Sequence, residues 1–262
     1  MNEPDVLIIG SGIVGCSCAY FLAKAGVNVM LVDRIQIGSG TSKAGMTYIT
    51  TWEGPKINID LSLVSNKIYR DLYQEVQVDF ESRETGGLIV IENQKEYDAF
   101  MAEVEHFAGW GVNYEILSSV LDSNSRGVVG SQVIYQTRNG NPLLGSSREF
   151  LGFDMSVDPI VMATIISRCI RLMPALNKVS AIRAWSGLRP YCEDFLPNIS
   201  PVDEISGLYI AIGHEGLEIT EGPITGKLIS QLITGETPDV AIDQLAFSRF
   251  LYKRVAEKAT AL

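Results

Sequence analysis

Three glycines and an acidic residue near the start of the chain have the spacing of a dinucleotide-binding motif. The stretch DVLIIGSGIVGCSCAYFLAKAGVNVMLVDR, residues 5–34, contains Gly10, Gly12, Gly15 and Asp33. The first glycine permits a tight turn after a strand, the second lets the backbone approach a pyrophosphate, and the third lets a helix lie close to the strand. Amides at the helix start would bind the pyrophosphate, and Asp33 would accept a hydrogen bond from a ribose hydroxyl. The chemistry predicted here is binding of an adenine dinucleotide.

The elements that must position these residues are a strand, a helix and a second strand. The apolar run at residues 6–9 predicts a strand buried on both faces of a sheet. Helical spacing starts at Ile13 and Gly26 ends it, and residues 27–32 predict the second buried strand. Because all these features fall in register, the glycine spacing indicates a nucleotide site. Asp33 disfavours the 2′-phosphate of NADP, but these residues alone do not choose between NAD and FAD.

Three later segments also carry features that could bind a ligand. GSGTSKAGMTYI, residues 38–49, is polar and glycine-rich, which fits either an ordinary loop or a ligand-binding one. GLRPYCEDFLPNISPV, residues 187–202, is rich in proline and places an arginine among apolar residues. Residues 207–235 predict a strand, a glycine turn and a helix that starts near residues 221–223 and ends at Gly235. A second strand–turn–helix unit suits a long cofactor with two parts.

The middle of the chain predicts structural elements rather than a site. Residues 57–73 and 94–107 have helical apolar spacing, and GGLIVIENQ, residues 86–94, predicts a strand. We expect His106 to have a structural role. The apolar residues expected on the core face of the second helix are Tyr97, Phe100, Met101 and Val104.

The composition indicates a globular protein and limits its partners. The chain has 262 residues, 46% of them hydrophobic, which is enough for one large domain or two interleaved ones. Its formal net charge of -10 argues against nucleic acid or an anionic membrane surface as a partner, because phosphates would be repelled. No apolar run is long enough to span a bilayer. The four cysteines lack the spacing of a zinc site, so no metal is predicted. We expect reduced thiols and a location in the cytoplasm or at the inner face of the membrane.

Four of these segments together resemble a known family. The opening strand–helix–strand unit, the TSKAGM loop, the GLRPY segment and the GHEG turn occur in the order typical of the FAD-dependent D-amino acid and glycine oxidase family. That family includes sarcosine oxidase and the subunits of amino-acid and opine dehydrogenases. The chain is most similar to the bacterial D-proline or hydroxyproline, opine and glycine dehydrogenase subunits. The resemblance covers both ends of the chain and much of its middle.

The resemblance implies an α/β fold with two interleaved parts. Residues 1–50 and 187–262 would form an FAD-binding, Rossmann-like domain of the glutathione-reductase type. Residues 51–186 would form a shortened α+β substrate or cap domain. FAD is the implied cofactor, an amino-acid-like molecule the implied substrate, and other subunits of a dehydrogenase complex the implied partners.

The resemblance also assigns roles to individual residues. Arg189 matches the arginine that pairs with the substrate carboxylate, and His214 lies in the turn near the flavin, so we expect both at the catalytic site. The residues that the resemblance places at the cofactor are Gly10, Gly12, Ile13, Val14, Gly15, Asp33, Arg34, Thr41, Ser42, Ala44, Gly45, Met46, Gly213, Gly216 and Leu217.

The implied reaction is oxidation of a Cα–N bond. In this family the flavin accepts a hydride from the substrate Cα, and water hydrolyses the imine that remains. The substrate would be a D-amino acid, a proline analogue, an opine or glycine. The guanidinium of Arg189 suits a carboxylate because its planar fork can bind both oxygens. The helix after the GHEG turn would direct its N-terminus at the flavin edge that becomes negative on reduction.

Two departures from the family pattern leave alternatives open. A block found in the family is missing near residues 129–132, and Glu218 stands where family members commonly have glycine. A carboxylate beside the flavin would oppose the negative charge that develops there. These departures favour a second hypothesis, a non-catalytic subunit that binds nucleotide or maintains the fold of a hetero-oligomer. A third hypothesis, an NAD-dependent dehydrogenase, explains the glycine motif but gives no reason for the GHEG turn.

Overall fold

The computed structural model describes residues 3–84, 89, 91, 93–116 and 133–250, which mix helices and strands as expected for the α/β class. The chain divides into two compact units, the first with Met1–Val76 and Arg189–Leu262, the second with Gln77–Leu188. The roles predicted from the sequence, FAD binding for residues 1–50 with 187–262 and a substrate or cap domain for residues 51–186, stay predictions. In chain order the elements are β1 (Val6–Ile9), α1 (Ile13–Lys24), β2 (Val29–Val32), α2 (Thr41–Ala44), α3 (Lys56–Val76), α4 (Gln94–Phe107), β3 (Val133–Gln136), β4 (Pro142–Gly145), α5 (Pro159–Leu172), β5 (Asn198–Pro201), β6 (Tyr209–Ile212) and α6 (Glu218–Thr234).

The first unit opens with the predicted strand–helix–strand arrangement. β1 and β2 are parallel, with Val6 aligned to Val29 and Ile9 aligned to Val32. The expectation that both faces of these strands are buried is wrong for the described residues. Side chains alternate between half-buried and exposed positions along both strands, and Ile9 is 84% exposed. Within the described part of the chain, α1 covers the face that carries Ile8, and the opposite face stays open.

Helices α1 and α6 lie against each other because two glycines of α6 leave room for α1. A Cβ at Gly222 would lie 2.8 Å from Ile13 Cγ1, and a Cβ at Gly226 would collide with the backbone of Ser17. This spacing of four residues places both glycines on one face of α6. The core of the first unit continues through α3, whose Leu61 belongs to the same buried apolar cluster as residues of α6.

Helix α6 begins one turn earlier than its sequence predicts. The expected start was residues 221–223, with proline in the first turn, but the helix starts at Glu218 and Pro223 lies inside it. A proline cannot donate to the carbonyl four residues earlier, here that of Ile219. The hydroxyl of Tyr69 in α3 donates to Ile219 O instead, at 2.5 Å. The side chain of a neighbouring helix therefore satisfies the acceptor that Pro223 leaves open. The predicted end of the helix at Gly235, which has φ 75°, is confirmed.

Arg249, near the end of the described chain, contacts β5 and the residues before it. Arg249 forms an ion pair with Asp194 at 2.7 Å and donates to Asn198 Oδ1, also at 2.7 Å. β5 and β6 pair as antiparallel neighbours, which brings the strand before the GHEG turn beside Asn198.

The second unit contains α4, the antiparallel pair β3–β4 and α5. α4 has the predicted bounds and buries Val104, but Tyr97, expected on its core face, is 42% exposed. His106 stacks on Trp110 with 5.3 Å between ring centroids, which fits the structural role expected for it. Most of the strand predicted within residues 86–94, and the position near residues 129–132 where a block of the family is predicted to be missing, lie outside the described residues. None of the helices in the described ranges has the length and apolarity needed to cross a membrane.

Candidate functional site

The first turn of α1 presents backbone amides for which the described part of the chain supplies no acceptor. Gly10 turns the chain out of β1 with φ 104°, a conformation that favours glycine. The N–H of Ile13 donates to Ser42 Oγ at 3.0 Å. The amides of Val14 and Gly15 have no hydrogen-bond acceptor among the residues that the structure describes. Unpaired amides and the helix dipole together favour an anion at this position.

The glycine spacing of the motif follows from close contacts around this turn. A Cβ at Gly15 would collide with the carbonyl oxygen of Gly10, so the helix can lie this close to the strand only with glycine there. A Cβ at Gly12 would lie 3.1 Å from Ser42 Oγ. A side chain at Gly12 would therefore require the Ser42 hydroxyl, which accepts the hydrogen bond from Ile13, to shift.

Asp33 is ionised and held in place at the end of β2. Its Oδ2 accepts hydrogen bonds from the N–H and the hydroxyl of Ser11, at 2.7 and 2.8 Å. These hydrogen bonds, with a further one from the N–H of Ile35, lower the pKa of Asp33 from 3.8 to about 2. Because the carboxylate is exposed, it can still accept a hydrogen bond from a ribose hydroxyl. Arg34 follows it and is also exposed.

The TSKAGM loop contacts the starts of both α1 and α6. At one end Ser42 accepts the hydrogen bond from the first helical amide of α1. At the other end a Cβ at Gly45 would lie 3.5 Å from Ile219 Cγ1 and 3.8 Å from Glu218 Oε1, both in α6. The other predicted cofactor residues of this loop are half-buried: Thr41, Ala44 and Met46.

Arg189 and Pro190 of the GLRPY segment contact the GHEG turn. The N–H of Glu215 donates to Pro190 O at 3.1 Å, and a Cβ at Gly216 would lie 2.6 Å from Arg189 Nη1. Gly213 has φ 85°, and a Cβ there would collide with Cys192 Sγ. Arg189 itself is exposed, and within the described ranges its guanidinium makes no hydrogen bond or ion pair. Its donors are therefore available to a carboxylate.

His214 is buried in the turn before α6. Its Nε2 lies 2.8 Å from Thr225 Oγ1, and the side chain is 3% exposed. Burial lowers the pKa of His214 from 6.5 to about 4, so the ring is neutral at pH 7. This contact joins the turn to the second turn of α6. The catalytic role expected for His214 stays a prediction.

Three glutamates are buried around the start of α6. Glu215, Glu218 and Glu221 are 6%, 8% and 0% exposed. Burial, together with repulsion from Glu53 and Glu218, raises the pKa of Glu221 well above its usual 4.5. Burial also raises the pKa of Glu218, while the nearby charge of Arg189 acts in the opposite direction. Sequence reasoning singled out Glu218 alone, although the spacing of three residues between the glutamates was a signal for all of them.

The predicted site residues of the first unit therefore come together around the starts of α1 and α6. A family model described as FAD dependent oxidoreductase matches residues 5–130 and 120–232 of the chain. The chain belongs to this family. FAD is the cofactor of the family, and this finding decides between the two dinucleotides that the glycine motif left open. The resemblance inferred from the sequence and the α/β fold of FAD-binding type are confirmed.

Individual relatives each match less than half of the chain. The hydrogen cyanide synthase subunit HcnC of Pseudomonas aeruginosa is 37% identical over 115 residues, which are 44% of this chain and 28% of that protein. The glycine oxidase of Geobacillus kaustophilus is 33% identical over 112 residues, which are 42% of this chain and 29% of that protein. The chain thus matches less than a third of the length of these curated relatives.

A solved structure resembles the fold over a longer stretch. The L-proline dehydrogenase of P. horikoshii superposes with a TM-score of 0.83 over 96% of this chain and 99% of that chain, at 17% identity. At this level of identity the similarity describes the fold.

The residues of the first unit fit FAD. The amides of Val14 and Gly15 would hold the pyrophosphate, and Asp33 would accept a hydrogen bond from the ribose. The first unit contains a second helix start, that of α6, which directly follows Gly216 and Leu217. The three buried glutamates at that start are the feature that does not follow from cofactor binding.

Proposed function

We propose that this chain is a subunit of an FAD-dependent oxidoreductase that oxidises the Cα–N bond of an amino acid or a related secondary amine. Its substrate would be a D-amino acid, a proline analogue, an opine or glycine. The observation that carries this proposal is the exposed guanidinium of Arg189, which lies over Gly216 in the same unit as the free amides of α1. A cation available to a carboxylate beside a dinucleotide site suits an amino-acid substrate.

The residues of the chain would divide the work between binding and orientation. When bound, FAD supplies the acceptor for the hydride that leaves the substrate Cα. Arg189 would bind both carboxylate oxygens of the substrate and so fix the direction of its Cα–H bond. The contact of His214 with Thr225 would hold the GHEG turn, and with it Gly216, in the position that Arg189 requires.

A second function, that of a non-catalytic subunit, is favoured by the buried glutamates. Glu218 and Glu221 both have carboxylate oxygens without a hydrogen-bond partner in the described part of the chain. Negative charge at this helix start would oppose the negative charge of a reduced flavin. Such a chain would keep nucleotide binding and the fold while another subunit performs the oxidation.

The test is a visible spectrum followed by anaerobic titration. The purified chain, and the complex it forms in its host, should show flavin absorption. This absorption should bleach with at least one of D-alanine, glycine, sarcosine, D-proline or an opine. Arg189→Ala should reduce kcat/KM at least about 100-fold, because a charged hydrogen-bonding pair is lost. Arg183→Ala, which removes an exposed arginine of the second unit, serves as the control.

The outcomes separate the two functions. Bound flavin that none of these compounds bleaches, together with unchanged activity of the complex in Arg189→Ala, would show the non-catalytic subunit. Absence of flavin from the purified chain and from the complex would exclude the catalytic function and leave a subunit that only maintains the fold.

A further inference from the structure

A buried carboxyl group beside Arg189 has no role in the binding steps described above. Glu218 is the first residue of α6 and is 8% exposed, and its Oε2 has no hydrogen-bond partner among the described residues. Buried carboxylate oxygens are nearly always hydrogen-bonded in folded proteins. An unpaired one at a site that binds a small molecule indicates a missing donor.

The surroundings of Glu218 place it on the same side of the turn as Arg189. Arg189 Nη1 lies over Gly216, which is two residues before Glu218. Burial raises the pKa of Glu218, and the positive charge of Arg189 is close enough to oppose that rise. On the other side, Glu218 Oε1 lies near Gly45 of the TSKAGM loop. Glu218 therefore lies beside this loop and within electrostatic reach of the guanidinium.

The positive charge of Arg189 and the carboxylate of Glu218 are complementary to the carboxylate and the ammonium group of an amino acid. Arg189 offers N–H donors and has no ion-pair partner within the described ranges, and Glu218 offers acceptor oxygens. The N-terminus of α6 stabilises a carboxylate at this position through the helix dipole. An amino acid presents a carboxylate and an ammonium group a few ångströms apart, which would pair with both residues at once.

We propose that Glu218 and Arg189 together recognise a zwitterionic amino acid, with Glu218 binding the ammonium group and taking up one of its protons. This inference rests on the proposed function and names the residue that prepares the substrate nitrogen for oxidation. The substrate class is a primary or secondary α-amino acid whose carboxylate is not blocked.

The proton step balances within the complex. An N–H bond of the ammonium group breaks, an O–H bond forms on Glu218 Oε2, and the nitrogen keeps the electron pair. The neutral amine can then donate this pair as the Cα hydride departs, which an ammonium group cannot do. Glu218 is uncharged after the transfer, so the carboxylate no longer opposes negative charge that develops nearby. The other titratable groups that act on Glu218 are Arg189, Glu215 and Glu221.

Two ligands of matched shape test the recognition without any oxidation. α-Aminoisobutyrate is a zwitterion that has no Cα hydrogen, and pivalate is the same molecule with a methyl group in place of the ammonium. Both are titrated calorimetrically into the FAD-loaded protein under anaerobic conditions. The wild type should bind α-aminoisobutyrate at least about tenfold more tightly than pivalate, as expected for one charge-assisted hydrogen bond.

Three variants identify the residues responsible. Glu218→Gln should abolish the preference for α-aminoisobutyrate and leave pivalate affinity unchanged or increased. Arg189→Met should weaken both ligands at least about tenfold. Glu236→Gln, a substitution beyond the far end of α6, should change neither. Glu218→Gly, the residue common in the family at this position, should behave like Glu218→Gln and shows whether loss of the carboxylate or misfolding is responsible.

A kinetic readout tests the proton step separately. If a substrate is oxidised, the acid limb of the pH profile of kcat/KM should move in Glu218→Gln to the pKa of the substrate ammonium group, because the nitrogen must then lose its proton before it binds. Equal preference for α-aminoisobutyrate in the wild type and Glu218→Gln, or failure of the wild type to bind either ligand, would overturn the inference. Loss of preference in Glu218→Gln without any oxidation by the wild type would keep the recognition and reject the proposed catalytic function.

Discussion

Helices α1 and α6 each follow a short strand and a glycine turn, yet their first turns differ in charge. α1 has no acidic residue in its first turn, and the amides of Val14 and Gly15 have no acceptor in the described part of the chain. α6 carries Glu218 and Glu221 in its first turn, both buried. The two starts are close together because Gly222 lies against Ile13.

This difference shows that one backbone plan can serve two purposes. A helix start with free amides binds an external anion, whereas the start of α6 places carboxyl groups of its own beside the dipole. The first is suited to a pyrophosphate. The second is suited to a cation, such as the ammonium group of a substrate, or to a proton.

The contact between the two helices is the feature most sensitive to substitution. Gly226→Ala would place a Cβ against the backbone of Ser17, which cannot move without displacing α1. We expect a loss of more than about 3 kcal/mol in the free energy of unfolding, or no folded protein. Gly40→Ala, where a Cβ meets nothing within 4 Å, should change stability little. Equal denaturation midpoints for the two variants would contradict the close approach of α1 and α6.

Acid should weaken the turn before α6 through His214. Its pKa is 6.5 unfolded and about 4 folded, so the unfolded state binds more protons between these values. The contribution of neutral His214 is therefore complete above pH 6.5 and is lost as pH falls, up to about 3 kcal/mol at pH 4. Urea denaturation from pH 4 to 7 measures it. His214→Gln should have a shallower dependence on pH in this range, and parallel curves for both proteins would contradict it.

Glu221 should produce the opposite pH dependence. Its pKa is raised by burial, so the folded state holds a proton that the unfolded state releases above pH 4.5. Stability is complete below that value and falls by about 1.4 kcal/mol per pH unit until the folded pKa is reached. Glu221→Gln should match the wild type below pH 4.5 and be more stable at pH 7. A variant that is less stable at pH 7 would show that Glu221 has a partner of its own.

The smallest expected effect concerns the hydroxyl that supports Pro223. Tyr69→Phe leaves the carbonyl of Ile219 without its donor and should reduce stability by about 1 to 2 kcal/mol. Tyr97→Phe, in α4, where the side chain is 42% exposed, is the control and should cost about 0.5 kcal/mol or less. Thermal denaturation of the two variants decides. Equal melting temperatures would mean that Ile219 O is satisfied in another way.

Local sequence patterns predicted the first three elements of the chain well. The glycine spacing, the apolar run before it and Gly26 after it were enough for β1, α1 and β2, because each is formed by neighbouring residues. The start of α6 was predicted one turn late, because proline favours the first turn of a helix and the donor that permits Pro223 further inside comes from Tyr69, 154 positions earlier in the chain. The exposure of Ile9 was missed for a similar reason, since an apolar run does not reveal what covers it.

The sequence by itself determined the dinucleotide motif, because its glycines have a short spacing that backbone geometry links directly to structure. The family, and with it FAD, followed from the resemblance of four segments in order along the chain, since the glycine motif alone left NAD and FAD open. Only the tertiary structure decided that Glu218 and Glu221 are buried, that His214 contacts Thr225, and that Arg189 lies over Gly216. These properties depend on which distant segments exclude water from a side chain. Burial of an ionisable side chain shifts its pKa, and so its charge, from what its residue type alone predicts.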